Sequence, residues 1–250
     1  MKSFINVYSY KCLLGPQSKN SEIIGNLAAW QVGKKSHFAN LALFDENDIK
    51  FLQQYGPCNF HYLTHANYEL LWAYGFKVKK TKLNSTCINL NELSYVGRKY
   101  HGIRGAINKN AKLHFTIQDN FNDIKDIKDM IEIWSNDYTK NYFRDFSGKN
   151  TFFYKNNFHR DCNNIFVYDD KKLIAFASLS PGKNSSYIIG KSLFKDYAGL
   201  SEYTDDLIYK KVYKLGTRIV NLGQSKGGIA TYKDKWPNTY SIIHYDGNII

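Results

Sequence analysis

The most recognisable chemical spacing in the chain is Gly223-Gln224-Ser225-Lys226-Gly227, a G-x-S-x-G that directly follows an apolar run at 219–222. That pattern sets a serine on a tight strand-to-helix turn, as a hydrolase nucleophile requires. The acid and histidine that must follow are Asp234 and His244, but only 25 residues remain after Ser225. The strands and helices that separate such a triad do not fit in that length, so serine hydrolysis is set aside. His61-x-x-x-His65 would put two imidazoles on one face of a helix, yet neither has a Glu beside it and the zincin pattern is absent. No metal site is expected. Cys12, Cys58, Cys87 and Cys162 never form C-x-x-C, and they read as four reduced thiols of a cytoplasmic protein. Neither a Walker loop nor G-x-G-x-x-G occurs.

Charge is the second chemical signal. The chain has 34 basic and 22 acidic residues, a net charge of +12, with 29 of the basic residues Lys and 5 Arg. Residues 77–112 hold Lys77, Lys79, Lys80, Lys82, Arg98, Lys99, Arg104, Lys109 and Lys112 against Glu92, nine minus one, or +8 of that total. Two readings stand side by side, a solvated basic face and a phosphate-binding surface. A hydrophobic share of 43 % with 22 % charged residues excludes a disordered or fibrous chain. No apolar run reaches the ~18 residues of a membrane helix, and residues 1–15 do not read as a secretory signal.

The elements that must position such residues follow from periodicity. Ile124, Ile127, Ile131, Trp134 and Tyr138 mark one face of a helix. Runs at 165–168 and 173–179 flank Asp169-Asp170-Lys171-Lys172, a hairpin signal. A strand at 187–194, a helix over 203–215 stopped by Gly216, and strands at 219–222 and 240–245 complete the C-terminal half. In the N-terminal half a strand is expected at 38–44, a helix at 48–55, and a helix at 68–74 capped by Asn67 and stopped by Gly75. The helix–Gly–strand around Gly75 resembles the one around Gly216, which reads as a duplicated α/β unit. Val96, Tyr100, Ile103 and Ile107 give the basic segment an apolar helical stripe. The fold class is α/β with a mixed sheet.

Asp206-Leu207-Ile208, then Gly216, Val220-Asn221-Leu222-Gly223, and finally Tyr232-Lys233-Asp234-Lys235-Trp236 with Tyr240 resemble the C-terminal pattern of phosphatidylglycerol lysyltransferase-like acyltransferases. The stretch Gly97-Arg98-Lys99-Tyr100 through Arg104 and Lys109 is similar to their basic connecting helix. The resemblance covers roughly residues 95–245. Pro237 follows the closing motif without the arginine usual there. These proteins lie in the wider GNAT superfamily and carry two GNAT-like units in tandem. The resemblance thus implies an N-terminal degenerate GNAT-like unit at 1–93, a basic connecting helix at 94–112 and a catalytic GNAT-like unit at 113–250.

The resemblance also implies transfer of an activated acyl group to an amine or hydroxyl of a small molecule, peptide or lipid. The donor is aminoacyl-tRNA, as in Fem-like relatives, or acyl-CoA; no cofactor is held tightly. The stretch Lys195-Asp196-Tyr197-Ala198-Gly199-Leu200, which would cradle coenzyme A, has one glycine and so favours the tRNA donor. Asp206, Lys233 and Tyr232 are the implied catalytic residues. Asn221, Gln224, Tyr203, Lys235 and Lys191 would bind substrate, and Arg98, Lys99, Arg104 and Lys109 the nucleic acid. Two alternatives remain open, a CoA-dependent N-acetyltransferase and a catalytically inactive GNAT-like module that binds RNA or an acidic partner.

Overall fold

A computed structural model describes residues 19–32, 34–120, 162–180, 185–193, 197–224 and 228–249. The helix expected over 124–138 and Ser225 of the G-x-S-x-G lie outside them. The chain divides into two compact units, unit 1 with residues 1–85 and 241–250 and unit 2 with residues 86–240.

Unit 1 begins with β1 (Lys19–Ile24), β2 (Leu27–Val32) and β3 (Lys35–Asn40), each antiparallel to its predecessor. Helix α1 (Glu46–Gln54) follows, and β4 (Cys58–Thr64) returns parallel to β3. After α2 (His65–Ala73) the chain enters β5 (Val78–Asn89). The C-terminal strand β11 (Thr239–Ile249) pairs antiparallel with β4. Alternation along these strands turns Leu27, Ala29, Phe38, Phe60, Tyr245 and Ile249 onto one face, where Ile49 and Leu52 of α1 and Leu71 of α2 complete a core.

Helix α1 starts with a capping box. Asp45 Oδ1 accepts from the backbone of Asn47 at 2.9 Å and of Asp48 at 3.0 Å, and Asp48 Oδ2 accepts from Asp45 N at 2.9 Å. Helix α2 is capped by Thr64, whose hydroxyl accepts from Asn67 N at 3.3 Å. Asn67, expected as the cap, is instead buried, accepting from Phe44 N at 2.9 Å and donating to Ala42 O at 2.8 Å. A long-range loop tie outweighs local capping here because the fully buried amide must find its partners inside the protein.

Unit 2 repeats the succession. Strands β6 (Thr116–Gln118), β7 (Asn163–Asp169), β8 (Lys172–Leu179) and β9 (Ser185–Leu193) are each antiparallel to the one before. Helix α4 (Leu200–Lys214) then leads to β10 (Ile219–Gln224), parallel to β9. Before them lies α3 (His101–Ala111), and after them α5 (Gly228–Asp234). The hairpin expected around Asp169 is present, with Asp170 in the left-handed region at φ 53°. Strand β8 is buried from Leu173 to Leu179, which is why it reads as a continuous apolar run rather than an alternation. Ile103 of α3, Ile208, Tyr209 and Val212 of α4, and Trp236 pack on this sheet.

The mixed α/β sheet meets the expectation from the sequence, with β7, β8, β9 and β10 in one sheet. The recurrence within it lies one element away from the place that Gly75 marked. Helix α4 before Gly216 leads to a strand parallel to its predecessor, and its counterpart by connectivity is α1 leading to β4, not α2 leading to β5.

Candidate active site

The parallel pair β9–β10 shares a short register, Ile219↔Ser185, Val220↔Ser186 and Asn221↔Tyr187. Both strands run on past it, β10 to Gln224 and β9 to Leu193. At this end of β10 the side chain of Asn221 turns back, its Oδ1 accepting from Gly223 N at 2.7 Å, with Gly223 at φ 76°. The turn leaves the carbonyls of Leu222 and Gly223 to an outside donor. That donor is Lys233 of α5, whose Nζ bonds to both, at 3.0 Å from Gly223 O. Burial lowers the lysine pKa to about 8, opposed by the nearby Cys87 thiol, Asp205 and Asp234. Cys87 itself is pushed up to about 12 by burial.

One residue earlier on α5, Tyr232 joins a hydroxyl chain. Ser201 Oγ donates to Tyr232 Oη at 2.6 Å, and Tyr232 donates to Asp205 Oδ2 at 2.6 Å. Burial and the Asp205 carboxylate hold the phenol pKa well above its ordinary value, so at neutral pH Tyr232 can give a hydrogen bond but cannot serve as a base. Asp205 and Asp206 are each 2 % exposed on the inner face of α4. Asp206 accepts from Tyr95 Oη at 2.8 Å and from Lys210 Nζ at 2.7 Å. Burial and Asp206 likewise raise the Tyr95 pKa. Adjacent buried carboxylates are costly unless each is bonded, and these two divide the available hydroxyls between them.

Of the residues expected from the sequence, Lys233, Tyr232 and Asn221 meet around α5 and the end of β10. Asp206 sits beside them on α4 with both oxygens engaged. Tyr203 is 8 % exposed and packs near Phe115, its pKa raised by burial and Asp206. Lys235 pairs with Glu202 and lies 4.1 Å from the Tyr232 ring centre. Lys191 of β9 and Gln224 of β10 have backbone positions on the two strands, and their side chains lie outside the described residues. Asp205 was not in the expected set. A buried carboxylate looks like any other acid in the sequence, and the signal available was the pair Asp205-Asp206 on the apolar stripe of a helix.

The basic run does not form one element. Lys77, Lys79, Lys80 and Lys82 belong to unit 1, while Arg98, Lys99, Arg104, Lys109 and Lys112 belong to unit 2. Arg98, Lys99, Lys109 and Lys112 are exposed. Arg104 Nη1 donates to the carbonyls of Tyr95 and Gly97, the latter at 2.8 Å, so it closes the loop that carries Tyr95. Val96, expected on the helical stripe, is 81 % exposed because the helix starts only at His101.

His61 and His65 do not share a helix face, since His61 lies on β4 and His65 opens α2. Among the described residues no His, Cys, Asp and Glu group has metal-binding geometry, Cys58, Cys87 and Cys162 are free thiols, and no helix is long and apolar enough to cross a membrane.

No family model and no curated protein matches the sequence. Solved structures do match the fold. A C-terminal domain assigned to a lysylphosphatidylglycerol synthetase from Agrobacterium fabrum superposes with a TM-score of 0.72 at 12% identity, covering 98% of this chain and 88% of that one. L-PGS from Bacillus licheniformis gives 0.69 at 13% identity over 99% and 87%. FemX gives 0.63 at 13% identity over 96% and 90%. At such identities the likeness is one of fold, the fold of the lysylphosphatidylglycerol synthetase domain, L-PGS and FemX.

Proposed function

We propose that this chain, built on the fold of the lysylphosphatidylglycerol synthetase domain and FemX, is an acyltransferase that moves an activated aminoacyl group to an amine or hydroxyl. The observation that carries the reading is Lys233. A lysine with a pKa of about 8 sits on the carbonyls at the end of β10, beyond the three register pairs that join it to β9. Attack of the acceptor on the donor carbonyl makes a tetrahedral oxyanion, and an ammonium held in place by backbone acceptors can donate a hydrogen to it. The acceptor loses a proton as the new bond forms, and the departing oxygen of the donor gains one as the old bond breaks. Tyr232, a neutral phenol that accepts from Ser201 and gives its one proton to Asp205, fixes α5 and Lys233 in place and does not abstract a proton. Asp206 acts through Tyr95 and Lys210 as a support of α4.

Two features favour aminoacyl-tRNA over acyl-CoA as donor. A pyrophosphate on the first turn of α4 would have to compete with Glu202, an acid already in that turn and already holding Lys235. The single Gly199 of that turn is used for packing. A Cβ on it would come within 2.7 Å of Ala106 Cβ, and its φ is +82°. The exposed Arg98, Lys99 and Lys109 supply the charge for an RNA backbone, whereas Arg104 is occupied by carbonyls. The two GNAT-like units in tandem fit the shared succession of antiparallel strands, helix and parallel strand.

The test is binding and transfer with labelled tRNA, aminoacylated and free, alongside acyl-CoA. Preferential binding of the charged tRNA, with label passing to an added amine, is the expected result. Transfer from acyl-CoA alone would replace the donor by a thioester. Equal binding of both tRNAs without transfer would make the protein a binding module.

A further inference from the structure

Unit 1 carries a polar assembly on the sheet face opposite α1 and α2. His37 of β3 and His61 of β4 lie near each other across a parallel register in which His37 faces Asn59 and Ala39 faces His61. His37 Nδ1 and His61 Nε2 are 2.9 Å apart, the ring centres 5.2 Å apart, and the planes within 9°. So short a nitrogen contact between near-parallel rings means that the imidazoles meet edge to edge, in almost one plane. The Trp30 ring lies against both, with centres at 5.6 and 5.4 Å and planes at 24° and 30°. The line continues at each end. Asn59 Nδ2 is 3.2 Å from His37 Nε2, and His61 Nδ1 is 3.4 Å from Asp246 Oδ2 of β11. Asp246 Oδ1 also accepts from Tyr62 N at 3.0 Å, where β4 is irregular and Tyr62 has φ 57°.

Hydrogen bookkeeping gives this line a direction. An amide NH₂ only donates, so His37 Nε2 must accept and its proton sits on Nδ1. That proton points at His61 Nε2, which therefore accepts, and His61 carries its own proton on Nδ1 toward Asp246. Both rings are then neutral, and each contact has one donor and one acceptor. A proton added to His61 at Nε2 places two donors face to face. The conflict is removed only if His37 moves its proton to Nε2 and Asn59 turns its amide oxygen inward. A second proton has nowhere to go, because both ring edges at the central contact would then donate.

We infer that His37, His61, Asn59 and Asp246 form a site for one proton in unit 1. Its uptake reverses the hydrogen-bond line and converts the long His61–Asp246 contact into an ion pair that ties β11 to β4. The other charged and titratable groups around it are consistent with one proton and not two. Burial first, then His61 and Lys35 on β3, disfavour a cation at His37. His244 on β11, buried and 3.4 Å from Ser85 Oγ, has a pKa lowered by burial, so it adds no charge at neutral pH. Asp246 stays ionised, its pKa lowered by the hydrogen bonds from His61 and Tyr62 despite burial.

The experiment is nitrogen NMR on the full chain with labelled histidine, followed from pH 9 to 5. At high pH both His37 and His61 are expected as Nδ1–H tautomers, the less common form of a free side chain. On acidification His61 becomes the cation, while His37 changes tautomer to Nε2–H and stays neutral. Asp246→Asn should lower the midpoint of that uptake by about one pH unit or more, and Asn59→Asp should raise it by a similar amount, even though the residue 59 side chain bonds to the ring of His37 and not to that of His61. Simultaneous conversion of both rings to cations would overturn the proposal, as would an Nε2–H tautomer on either ring at high pH. So would an Asn59→Asp change that moves His37 and leaves His61 unaltered. The tautomer measurement on the unsubstituted protein decides the matter even if a variant does not fold.

Discussion

In unit 1 the helix after the third strand, α1, buries Asp48, whose oxygens accept from Asn26 N at 3.0 Å, Asn26 Nδ2 at 2.9 Å and Asp45 N at 2.9 Å. In unit 2 the corresponding helix, α4, buries Asp205 and Asp206, whose partners are the hydroxyls of Tyr232 and Tyr95 and the ammonium of Lys210. Both carboxylate sets are hydrogen-bonded, but by different kinds of donor. Asp48 is bonded by a helix cap and a β-turn, fixed groups that can do nothing further. Gly25 at that turn has φ +55°, and a Cβ there would come within 2.4 Å of Asp48 Oδ1, so the carboxylate is built tightly into the corner. Asp205 and Asp206 are bonded by side chains with titratable protons, next to a lysine whose charge is adjustable near neutral pH. The same connectivity thus carries an acid held by backbone and amide donors in one unit and acids held by titratable side chains in the other.

That contrast is open to direct attack. Lys233→Ala is expected to lower turnover by roughly 10²–10³, the usual loss of one oxyanion donor, while the circular dichroism spectrum stays that of the parent. Turnover within a factor of two of the parent would remove Lys233 from the chemistry. Asp48→Ala, on the other side of the comparison, should cost about 2–3 kcal/mol of stability in denaturant titration, since buried donors of Asn26 and Asp45 lose their acceptor. Its rate per folded molecule should not change; a large rate defect would mean that the two carboxylate sets are not separable in role.

The pH profile sharpens the assignment within unit 2. If the ammonium of Lys233 is the working form, turnover is full below its pKa of about 8 and falls roughly tenfold per pH unit above it. A rate that rises through the same range would make the neutral amine a base instead. The smallest expected effect lies away from both carboxylate sets. Gly105 is inside α3, and a Cβ there would have nothing within 4 Å. Gly105→Ala should therefore stabilise the protein by roughly 0.5–1 kcal/mol in thermal unfolding, and leave turnover alone. A destabilised variant would show that α3 needs the freedom of glycine at that point.

Much of unit 2 was legible along the chain. The runs at 165–168 and 173–179, the Asp169-Asp170 turn, the helix ended by Gly216 at φ 98° and the strand at 219–222 all rest on local signals, apolar periodicity and turn chemistry, which neighbours in space do not alter. The N-terminal half was read less fully. Strands β1, β2 and most of β5 were not anticipated, because Lys19–Ile24 and Val78–Asn89 hold several polar residues and owe their extension to pairing partners that are remote in sequence. The closing motif pointed to Lys233, Tyr232 and Asn221 by residue type. It could not indicate that Lys233 would find two backbone carbonyls, nor that Arg104 would be used by the loop before its own helix.

Residue order alone determined that this chain is an α/β protein with a mixed sheet, a buried strand at β8 and helices ended by glycines, because those features depend on side-chain period and on backbone freedom within a few residues. Tertiary structure decided which acids became buried and which imidazoles met. Asp48, Asp205 and Asp206 are alike as letters, and only the packing of a helix against distant strands set one against a turn and two against tyrosines. His37 and His61 are 24 residues apart in the chain, and a parallel register brings their ring edges into contact. Burial and partners come from long-range packing, and they set the charge state on which the proposed chemistry depends.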